Sequence, residues 1–399
     1  MKTRVAVLFG GRSPEHDVSI VTGLQVLDAL DQGRFEAFPV YLSTTGRWFV
    51  GEQLRERSFY LPGPDAEKKL TQVTLDLTPN DLGHGVLLPK DKGGLFSRAK
   101  EIAFDVALPA FHGLIGEDGQ IQGAFETANV PYTGMRTLAS AVLMDKAATK
   151  RLLAETRIPL LPCEVIDRPA TGMLPSLAAL AELTKALAFP VIVKPAHLGS
   201  SIGVAKVATV EELRAVLPPI FKLDNQAIVE PFVENLVEYN IAVAGFEGKV
   251  RTSAVERPKR ASDLLDFKQK YLSGGAKGGK SPGARSEGML SLTRDINPTL
   301  PDGLADKLRK WAEQTFLAVG GTGTPRIDFL GNAETGAVFL NEVNPCPGSF
   351  AFFLWEAAAE PLLFTELLSK LIDEAIAQHR VRQIPADPTL VEARLFPRR

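Results

Sequence analysis

Gly323-Thr-Pro-Arg-Ile-Asp-Phe-Leu-Gly331, followed after a turn by Val338-Phe-Leu-Asn-Glu-Val-Asn-Pro-Cys-Pro-Gly348, is the stretch on which the fold depends. Two short runs rich in β-branched and aromatic residues flank a turn that contains Gly and Asn, a pattern typical of a β-hairpin. Side chains alternate along a strand, so Arg326 and Asp328 share one face of the first arm. By the same alternation, a glutamate and an asparagine share one face of the second arm.

Glu342 and Asn344 are these second-arm residues, and they bring a carboxylate and an amide close to Asp328. Two carboxylates in one small volume repel each other unless a cation lies between them. Oxygen ligands from Asp, Glu and Asn suit Mg2+, a hard ion that keeps some water and bridges phosphates. Arg326 beside such an ion would stabilise negative charge that develops during group transfer. An edge hairpin with solvated charges is the alternative interpretation.

Length and composition define the class of protein. A chain of 399 residues is expected to form two or three domains. A hydrophobic content of 45% with 23% charged residues is typical of a soluble globular protein. The net charge of −2 gives no general attraction to nucleic acid or anionic membranes. Two cysteines are too few for a disulfide framework, and neither a membrane span nor a signal peptide is recognised. The expectation is a cytoplasmic protein without nucleic-acid or membrane partners.

A βαβ unit is predicted at the start of the sequence. Arg4–Phe9 reads as a buried strand, a Gly-Gly turn leads into a helix that ends near Leu30, and Phe38–Leu42 reads as the next strand. This order predicts a parallel sheet. No G-x-G-x-x-G is present, which argues against a dinucleotide. Glu15 in the turn lies at the carboxyl end of the sheet, where open α/β folds bind ligands, or is an exposed helix-start residue.

Two glycine-bracketed loops are candidate parts of a site. Phe111-His-Gly-Leu-Ile-Gly-Glu-Asp-Gly119 places polar groups at the sheet edge, either for a ligand or as caps of the next helix. The strand Phe189–Lys194 ends in a lysine, and Pro195–Gly203 follows with Gly and Ser residues that offer amides and hydroxyls to phosphate oxygens. A second strand follows this loop, so it is a hairpin rather than a P-loop. A simple turn is the alternative.

Other candidate residues lie on helices and strands. One helix is predicted from Thr137 to about Thr156, and it includes Lys146. Glu230 is a candidate to accept a hydrogen bond from an adenine amino group, and Glu238 is a candidate to accept hydrogen bonds from ribose hydroxyls. The alternative for each is a surface carboxylate. The Gly- and Lys-rich segment after Asp266 suits a loop that closes over an anionic ligand, with a plain linker as the alternative.

Eight motifs occur in order, and together they resemble the D-alanine–D-alanine ligases of the ATP-grasp superfamily. The motifs are Gly10-Gly-Arg-Ser-Pro-Glu-His-Asp-Val-Ser19, His112-Gly-Leu-Ile-Gly-Glu-Asp-Gly119, Met144-Asp-Lys146, Val193-Lys-Pro195, Gly199-Ser-Ser-Ile-Gly203, Lys270-Tyr271, Arg326-Ile-Asp328 and Asn341-Glu-Val-Asn344. The resemblance spans about Arg4 to Leu371. It implies an α/β fold of the ATP-grasp type, with a Rossmann-like parallel-sheet domain and two β-sheet domains that clamp ATP.

The resemblance also implies a domain division. Residues 1–140 would form the Rossmann-like substrate domain with hairpins inserted near 44–100. Residues 141–232 would form the central ATP-grasp subdomain. Residues 233–399 would form the C-terminal ATP-grasp subdomain, with the metal site and a flexible lid at 273–283.

The resemblance implies roles for individual side chains. The residues that would bind ATP are Lys146, Lys194, Ser200, Ser201, Glu230, Phe232, Val233, Glu238 and Lys270. Two Mg2+ ions, or Mn2+, would be held by Asp328, Glu342 and Asn344. The residues with implied catalytic roles are Glu15, Ser200, Tyr271, Lys270, Arg326 and Gly348. Among these, Glu15 would hold the first substrate's ammonium group and tie the closed loop together with Ser200 and Tyr271. Lys270 would stabilise the phosphoryl group, and Arg326 with the Gly348 amide would form the oxyanion site.

The implied reaction produces D-alanyl-D-alanine for peptidoglycan synthesis. The γ-phosphoryl group of ATP moves to the carboxylate of a first D-alanine, and the amine of a second D-alanine attacks the acylphosphate. No side-chain nucleophile is needed, so Cys346 is interpreted as a packing residue. A homodimer is also implied by the resemblance.

The sequence departs from the family pattern at the acceptor site. Many ligases carry a serine that binds the second D-alanine's carboxylate at the position of Phe353, and Ser349 or a backbone amide is a candidate substitute. Leu265 and Phe267 replace the usual tyrosine pair before Lys270. Another acceptor (D-lactate, D-serine or another amino acid) is therefore an alternative. Further alternatives are a different ATP-grasp carboxylate–amine ligase and a nucleotide-binding regulator without turnover.

Overall fold

Three β-sheets with helices packed against them make up the described part of the chain. The computed structural model describes residues 2–61, 66–79, 83–90, 100–259 and 294–382. The predicted α/β fold class is confirmed, since the first sheet contains parallel strands and the other two are antiparallel. Among the described residues, no helix combines the length and apolar character that crossing a membrane requires.

The first sheet contains the predicted βαβ unit. Strand β1 pairs in parallel with β2 and β7, and the remaining pairs are antiparallel. The run Val5–Phe9 is fully buried, as expected for a strand covered on both faces. The strand order is β6-β5-β4-β3-β2-β1-β7. The strands are β1 (Thr3–Gly10), β2 (Phe35–Leu42), β3 (Trp48–Val50), β4 (Thr71–Leu75), β5 (Gly85–Pro89), β6 (Ile102–Phe104) and β7 (Val106–Pro109). The described part of the hairpin region near 44–100 therefore extends this sheet.

The second and third sheets are antiparallel and contain the candidate loop and hairpin. The strand orders are β10-β9-β11-β8 and β14-β13-β12-β15-β16. The second sheet consists of β8 (Glu164–Asp167), β9 (Val191–Pro195), β10 (Ala205–Val207) and β11 (Gln226–Pro231). The third consists of β12 (Leu236–Phe246), β13 (Lys249–Pro258), β14 (Arg294–Ile296), β15 (Arg326–Asn332) and β16 (Val338–Asn344). The Gly/Ser loop joins β9 to β10, so its prediction as a hairpin loop is confirmed.

The helix predicted from Thr137 to about Thr156 is wrong as a single element. It is broken at Asp145, whose backbone is extended (φ −88°, ψ 106°). The Asp145 carboxylate accepts the amides of Ala147 and Ala148 at 2.9 Å each, and so caps a second helix. The helices are α1 (His16–Ala29), α2 (Gln120–Thr127), α3 (Thr137–Met144), α4 (Lys146–Leu153), α5 (Leu177–Leu183), α6 (Val210–Phe221), α7 (Leu304–Ala318), α8 (Phe352–Glu356) and α9 (Phe364–Arg382). The break places Lys146 at the start of α4, where the helix dipole favours anions.

One apolar core joins the first and third sheets. It contains Phe9 of β1, Phe246 of β12 and Trp355 of α8, all buried. The Trp355 indole N–H donates to Thr324 Oγ1 at 2.8 Å, just before β15. Because this core fixes the C-terminal segments against the first sheet, the loop after β1 and the end of the β15–β16 hairpin face the same cleft.

Candidate functional site

Residues from all three sheets line a single cleft. The first sheet contributes Glu15 and the loop around His112, α4 contributes Lys146, and the β9–β10 loop contributes Gly199. The β15–β16 hairpin and the loop after it provide the opposite wall, with Arg326, Glu342, Asn344, Cys346 and Gly348. Charged side chains of both signs therefore converge at a place where three sheets meet.

The β15–β16 register confirms the predicted shared face of the hairpin. Asp328 lies opposite Glu342, and Arg326 lies opposite Asn344. Arg326 donates from Nε to Asp328 Oδ1 and from Nη2 to Asp328 Oδ2, each at 2.6 Å. Asn344 Nδ2 donates to Asp328 Oδ2 at 3.0 Å. The two carboxylates, the amide and the guanidinium are thus in one small volume.

The donor chemistry of this hairpin fits a divalent cation. Asp328, Glu342 and Asn344 offer oxygen atoms, which Mg2+ prefers. Each carboxylate also contacts a positive side chain, since Asp328 pairs with Arg326 and Glu342 Oε2 lies 3.3 Å from Lys146 Nζ. Within the described ranges, no three His, Cys, Asp or Glu side chains converge to hold an ion by themselves. A three-ligand site on this hairpin therefore needs the side-chain oxygen of Asn344 in addition to the two carboxylates. The assignment of the hairpin as a metal site stays a prediction.

The two predicted phosphate-binding lysines both reach β16. Lys146 Nζ donates to the Leu198 carbonyl at 2.6 Å and lies close to Glu342. Lys194 Nζ donates to Asn341 Oδ1 at 3.0 Å. Both lysines are largely buried, at 7% and 8% exposed. The cation-bearing ends of α4 and β9 therefore lie beside the carboxylate-bearing hairpin.

Glu230 lies between two lysines rather than at the surface. Its Oε1 is 2.5 Å from Lys150 Nζ, its Oε2 is 2.7 Å from Lys194 Nζ, and the residue is 2% exposed. Burial by itself would raise the pKa of Glu230, but attraction to Lys194 and Lys150 outweighs it and lowers the pKa to about 2. Burial by itself would lower the pKa of Lys194, but Glu230 and Glu342 raise it above its usual value.

Lys150 is a charged residue of this region for which sequence reasoning assigned no role. Its Nζ also donates to the Leu161 carbonyl at 2.9 Å, and the side chain is 6% exposed. The sequence feature that marks Lys150 as part of this region is its spacing, because Lys146 and Lys150 are four residues apart and therefore share a helix face. Its partner Glu230 is far away in sequence, so no local pattern marked the pair.

The Gly/Ser loop contacts the loop after β1. Ser200 Oγ donates to Glu15 Oε1, which brings together two residues predicted to act jointly. Ser200 and Ser201 both have positive φ, 54° and 58°, in a tight turn between glycines. Glu15 is 8% exposed. The contact joins the second sheet to the first across the cleft.

Glu117 joins the His112 loop to the loop after the hairpin. Its Oε2 accepts the Gly113 amide at 2.6 Å, and its Oε1 accepts the Cys346 amide at 2.8 Å. Burial, together with the negative charge of Glu15, raises the pKa of Glu117 to about 8. Burial lowers the pKa of His112 to about 4, and this ring contacts Thr22 Oγ1 at 2.8 Å. These loop groups therefore lie in the cleft and do more than cap a helix.

Cys346 lies inside the hairpin motif but is a poor nucleophile. Burial raises the pKa of the Cys346 thiol well above its usual value, and a thiol rather than a thiolate is unreactive. This agrees with its interpretation as a packing residue.

The remaining predicted residues lie at separate places. Phe232 and Val233 follow β11; the Phe232 amide donates to the Pro190 carbonyl at 3.0 Å, and Lys206 Nζ lies 3.6 Å from the Phe232 ring centre. Glu238 lies on β12 opposite Leu330. Gly348 starts a short 3-10 turn, Gly348–Ala351, after the hairpin. Lys270, Tyr271 and the predicted lid at 273–283 lie outside the described residues.

The fold and the cleft together define an ATP-grasp protein. The structure of the D-alanine-D-alanine ligase from Coxiella burnetii superposes with a TM-score of 0.74 at 24% identity, covering 96% of this chain and 96% of that one. The VanG D-Ala:D-Ser ligase from Enterococcus faecalis superposes with a TM-score of 0.71 at 26% identity, covering 94% of this chain and 100% of that one.

Sequence comparison then identifies the family. A family model for the D-ala D-ala ligase N-terminus matches residues 4–135, and one for the D-ala D-ala ligase C-terminus matches residues 152–373. D-alanine--D-alanine ligase A of Bradyrhizobium diazoefficiens is 34% identical over 387 residues, 96% of this chain and 97% of the relative. The chain belongs to the D-alanine–D-alanine ligase family, which confirms the resemblance noted in its motifs.

Proposed function

We propose that this enzyme joins two D-alanine molecules into D-alanyl-D-alanine and converts ATP to ADP and phosphate. The observation that carries the proposal is the convergence of Glu15, Lys146, Arg326 and Glu342 on one cleft in a member of this family. The curated relatives carry the name of this activity, so a different acceptor such as D-lactate or D-serine is not favoured.

The first step activates a carboxylate. A carboxylate is a poor acyl donor, so its oxygen attacks the γ-phosphorus of ATP, the bond to the β-phosphate oxygen breaks, and ADP leaves. Lys146 and Lys194 would bind the phosphates, a role supported by their burial and by their contacts with the carboxylate-bearing hairpin. The Ser200 and Ser201 loop would cover the phosphates with its hydroxyls and amides.

Asp328, Glu342 and Asn344 would hold Mg2+ during this step. The ion supplies neutralisation of phosphate charge when bound. The presence of two such ions, and the use of Mn2+ in place of Mg2+, belong to the same proposal. Each oxygen of Asp328 already accepts a hydrogen bond from Arg326, so this carboxylate would be shared between the guanidinium and the ion.

The second step forms the amide bond. The neutral amine of the second D-alanine attacks the acyl carbon, the carbon–oxygen bond to the phosphate breaks, and phosphate leaves and takes up the proton that the nitrogen loses. Arg326 and the Gly348 amide would stabilise the negative oxygen of the tetrahedral intermediate. Glu15 would hold the ammonium group of the first D-alanine. Lys270 and Tyr271 would complete the closed site.

The nucleotide base would bind near the end of β11. Phe232 and Val233 offer backbone groups for the adenine ring, and Glu238 offers a carboxylate to the ribose. Glu230 has both oxygens paired with lysines, so it would also hold Lys194 in position for the phosphates.

Product identification tests the proposal most directly. The full chain is incubated with ATP, Mg2+ and D-alanine, ADP release is followed by a coupled assay, and the product is identified by mass spectrometry. The expected result is D-alanyl-D-alanine together with D-alanine-dependent ADP release. ADP release that does not depend on any amino acid would contradict the proposal, and a mixed product from equal D-alanine, D-serine and D-lactate would revise the acceptor.

The same proposal includes a role in peptidoglycan synthesis and a cytoplasmic location. It also includes a homodimer and a division into three domains near residues 140 and 232. Light scattering after size-exclusion chromatography tests the homodimer. The expected mass is twice the 43.2 kDa of one chain, and elution at the single-chain mass would contradict it.

A further inference from the structure

The aromatic ring of Phe353 contacts the side chain of an arginine. Phe353 is the second residue of α8, and the guanidinium carbon of Arg294 lies 4.5 Å from its ring centre. An arginine stacked on an aromatic ring is held by cation–π attraction while its N–H edge stays available. An aromatic ring cannot donate a hydrogen bond to a carboxylate, but the arginine that it supports can.

Ser349, the substitute suggested by the sequence, is already engaged. Its amide donates to Thr22 Oγ1 at 3.2 Å, and its hydroxyl donates to Gln25 Oε1. Both groups fix the 3-10 turn against α1 rather than pointing to a substrate. Ser349 therefore holds the turn against α1, and its hydroxyl is not assigned to the acceptor.

Arg294 also pairs with a buried carboxylate. Arg294 Nη1 lies 3.0 Å from Glu256 Oε1, and Glu256 is 3% exposed. Asn240 Nδ2 donates to the second oxygen, Glu256 Oε2, at 3.1 Å. Across the described part of the chain, Glu256 is the residue that pairs with Arg294, so further guanidinium donors remain for a ligand.

The sheet register places this arginine on the face of the reactive groups. Glu256 pairs with Asn240, Asn240 pairs with Asp328, and Asp328 pairs with Glu342. Residues opposite each other in antiparallel strands share a face, so all four side chains form one row across the sheet. Glu256 is two strands from Asp328, roughly 10 Å at ordinary strand spacing. Arg294 therefore lies along the same face as the proposed metal and oxyanion groups.

We propose that Arg294 recognises the carboxylate of the acceptor amino acid, with Phe353 and Glu256 holding its guanidinium in place. This inference rests on the proposed function, because it assigns the acceptor end of the same site. The acceptor must present its neutral amine to the acyl carbon while its carboxylate is held away from the phosphate. A guanidinium binds a carboxylate with paired, charge-assisted hydrogen bonds, and it needs no serine hydroxyl to do so.

A competition between two acceptors tests the inference. The enzyme is given ATP, Mg2+ and equal concentrations of D-alanine and D-alaninamide, and the products ending in a carboxylate or in an amide are quantified by mass spectrometry. In R294A, the ratio of acid to amide product should fall about 10- to 100-fold relative to wild type, as expected for loss of a charge-assisted hydrogen bond. The KM for ATP should not change, since the donor step does not involve this residue.

Three further variants make the result decisive. R294K should retain part of the ratio because it keeps the charge, whereas R294Q should lose it and serves if R294A does not fold. R309A is the matched control, because Arg309 is a partly exposed arginine of α7 that contacts Asp306, and it should keep the wild-type ratio. A wild-type ratio in R294A and R294Q with normal turnover would overturn this inference alone. Failure of the wild-type enzyme to form either product would overturn the proposed function, and this inference with it.

Discussion

Both carboxylate oxygens of Asp328 accept a hydrogen bond from Arg326, at 2.6 Å from Nε and 2.6 Å from Nη2. The two residues are two positions apart on β15, so they share a face of the strand. Paired N–H donors on one carboxylate make a strong contact. In the proposed reaction, Asp328 binds a cation and Arg326 faces an oxyanion. In this structure, the Arg326 guanidinium therefore offsets the negative charge of the Asp328 carboxylate.

Glu342→Gln tests the metal assignment. The substitution keeps the size of the side chain, replaces one acceptor oxygen with an NH2 donor, and removes the negative charge that faces Lys146 and, in the proposal, Mg2+. We expect turnover to fall by about a thousandfold or more, because metal binding supplies several kcal/mol of charge stabilisation. Steady-state ADP release measures the loss, and far-UV circular dichroism checks that the fold is intact.

Glu334→Gln is the matched control for that variant. Glu334 lies on the same hairpin but in its exposed turn between β15 and β16. The same chemical change there should leave turnover and stability nearly unchanged, within about 0.5 kcal/mol for unfolding. If Glu342→Gln behaves like this control, the metal assignment is wrong.

Glu230→Gln tests the buried charge group of Lys150, Glu230 and Lys194. Removing the central carboxylate leaves two buried lysines without the carboxylate that pairs directly with both of them. Breaking a buried ion pair in this way costs about 3 kcal/mol or more, so the free energy of unfolding should fall by that amount. Urea denaturation measures it.

An exposed ion pair provides the comparison for the buried one. Glu182→Gln breaks the pair between Glu182 of α5 and Lys185, which follows that helix, and both side chains are about two-thirds exposed or more. Exposed pairs contribute about 0 to 1 kcal/mol. If Glu182→Gln and Glu230→Gln lower the free energy of unfolding by the same amount, burial of Lys150, Glu230 and Lys194 does not make their ion pairs more important for stability.

Local patterns were sufficient to predict the hairpin and the loops. Alternation along a strand fixes which side chains share a face, so Arg326 and Asp328 were placed together correctly from the sequence. A lysine at a strand end followed by Gly and Ser was likewise enough to predict the loop between β9 and β10. These features depend on residues close in sequence, whose geometry the backbone fixes.

Features that depend on distant partners were not predictable in the same way. The helical pattern runs without interruption through Asp145, and only the carboxylate's hydrogen bonds to Ala147 and Ala148 reveal the break. The pairing of Lys150 with Glu230 joins residues from α4 and β11. The contact of Arg294 with Phe353 joins β14 to α8. Each arises from tertiary packing, which no sequence period encodes.

His197 predicts a pH-dependent part of the stability. The carboxylates of Asp145 and Asp224 raise the pKa of His197 to about 9; its Nδ1 is 2.9 Å from Asp224 Oδ1 and its Nε2 is 3.6 Å from Asp145 Oδ2. A folded-state pKa above the unfolded value of about 6.5 stabilises the fold fully below pH 6.5. This stabilisation is lost as pH rises through about 9. Because the ring is partly exposed, we expect a change of about 2 kcal/mol or less.

The difference between wild type and His197→Asn isolates this contribution. Glu117 and Glu374 have pKa values raised to about 8 and about 7 by burial, so they also change stability with pH. Their contributions are the same in both proteins and cancel in the difference. Urea denaturation at several pH values should show that the advantage of wild type shrinks between pH 6.5 and 9. A constant difference across that range would contradict the assignment to His197.

Gly323→Ala tests the close approach that positions β15. Gly323 has φ +71°, and a Cβ there would lie 2.6 Å from the Cα of Gly134, while its amide donates to Glu374 Oε2 at 2.9 Å. Gly336→Ala is the matched control, because Gly336 has φ +70° and a Cβ added to it would meet no other atom within 4 Å. Both variants bear the left-handed backbone cost of about 1 to 2 kcal/mol. Backbone overlap should destabilise Gly323→Ala by about 2 kcal/mol more in urea denaturation. Because Arg326, the first residue of β15, lies three residues later, turnover should fall in Gly323→Ala and stay normal in Gly336→Ala. Equal losses of unfolding free energy in the two variants would show that the contact with Gly134 relaxes without cost.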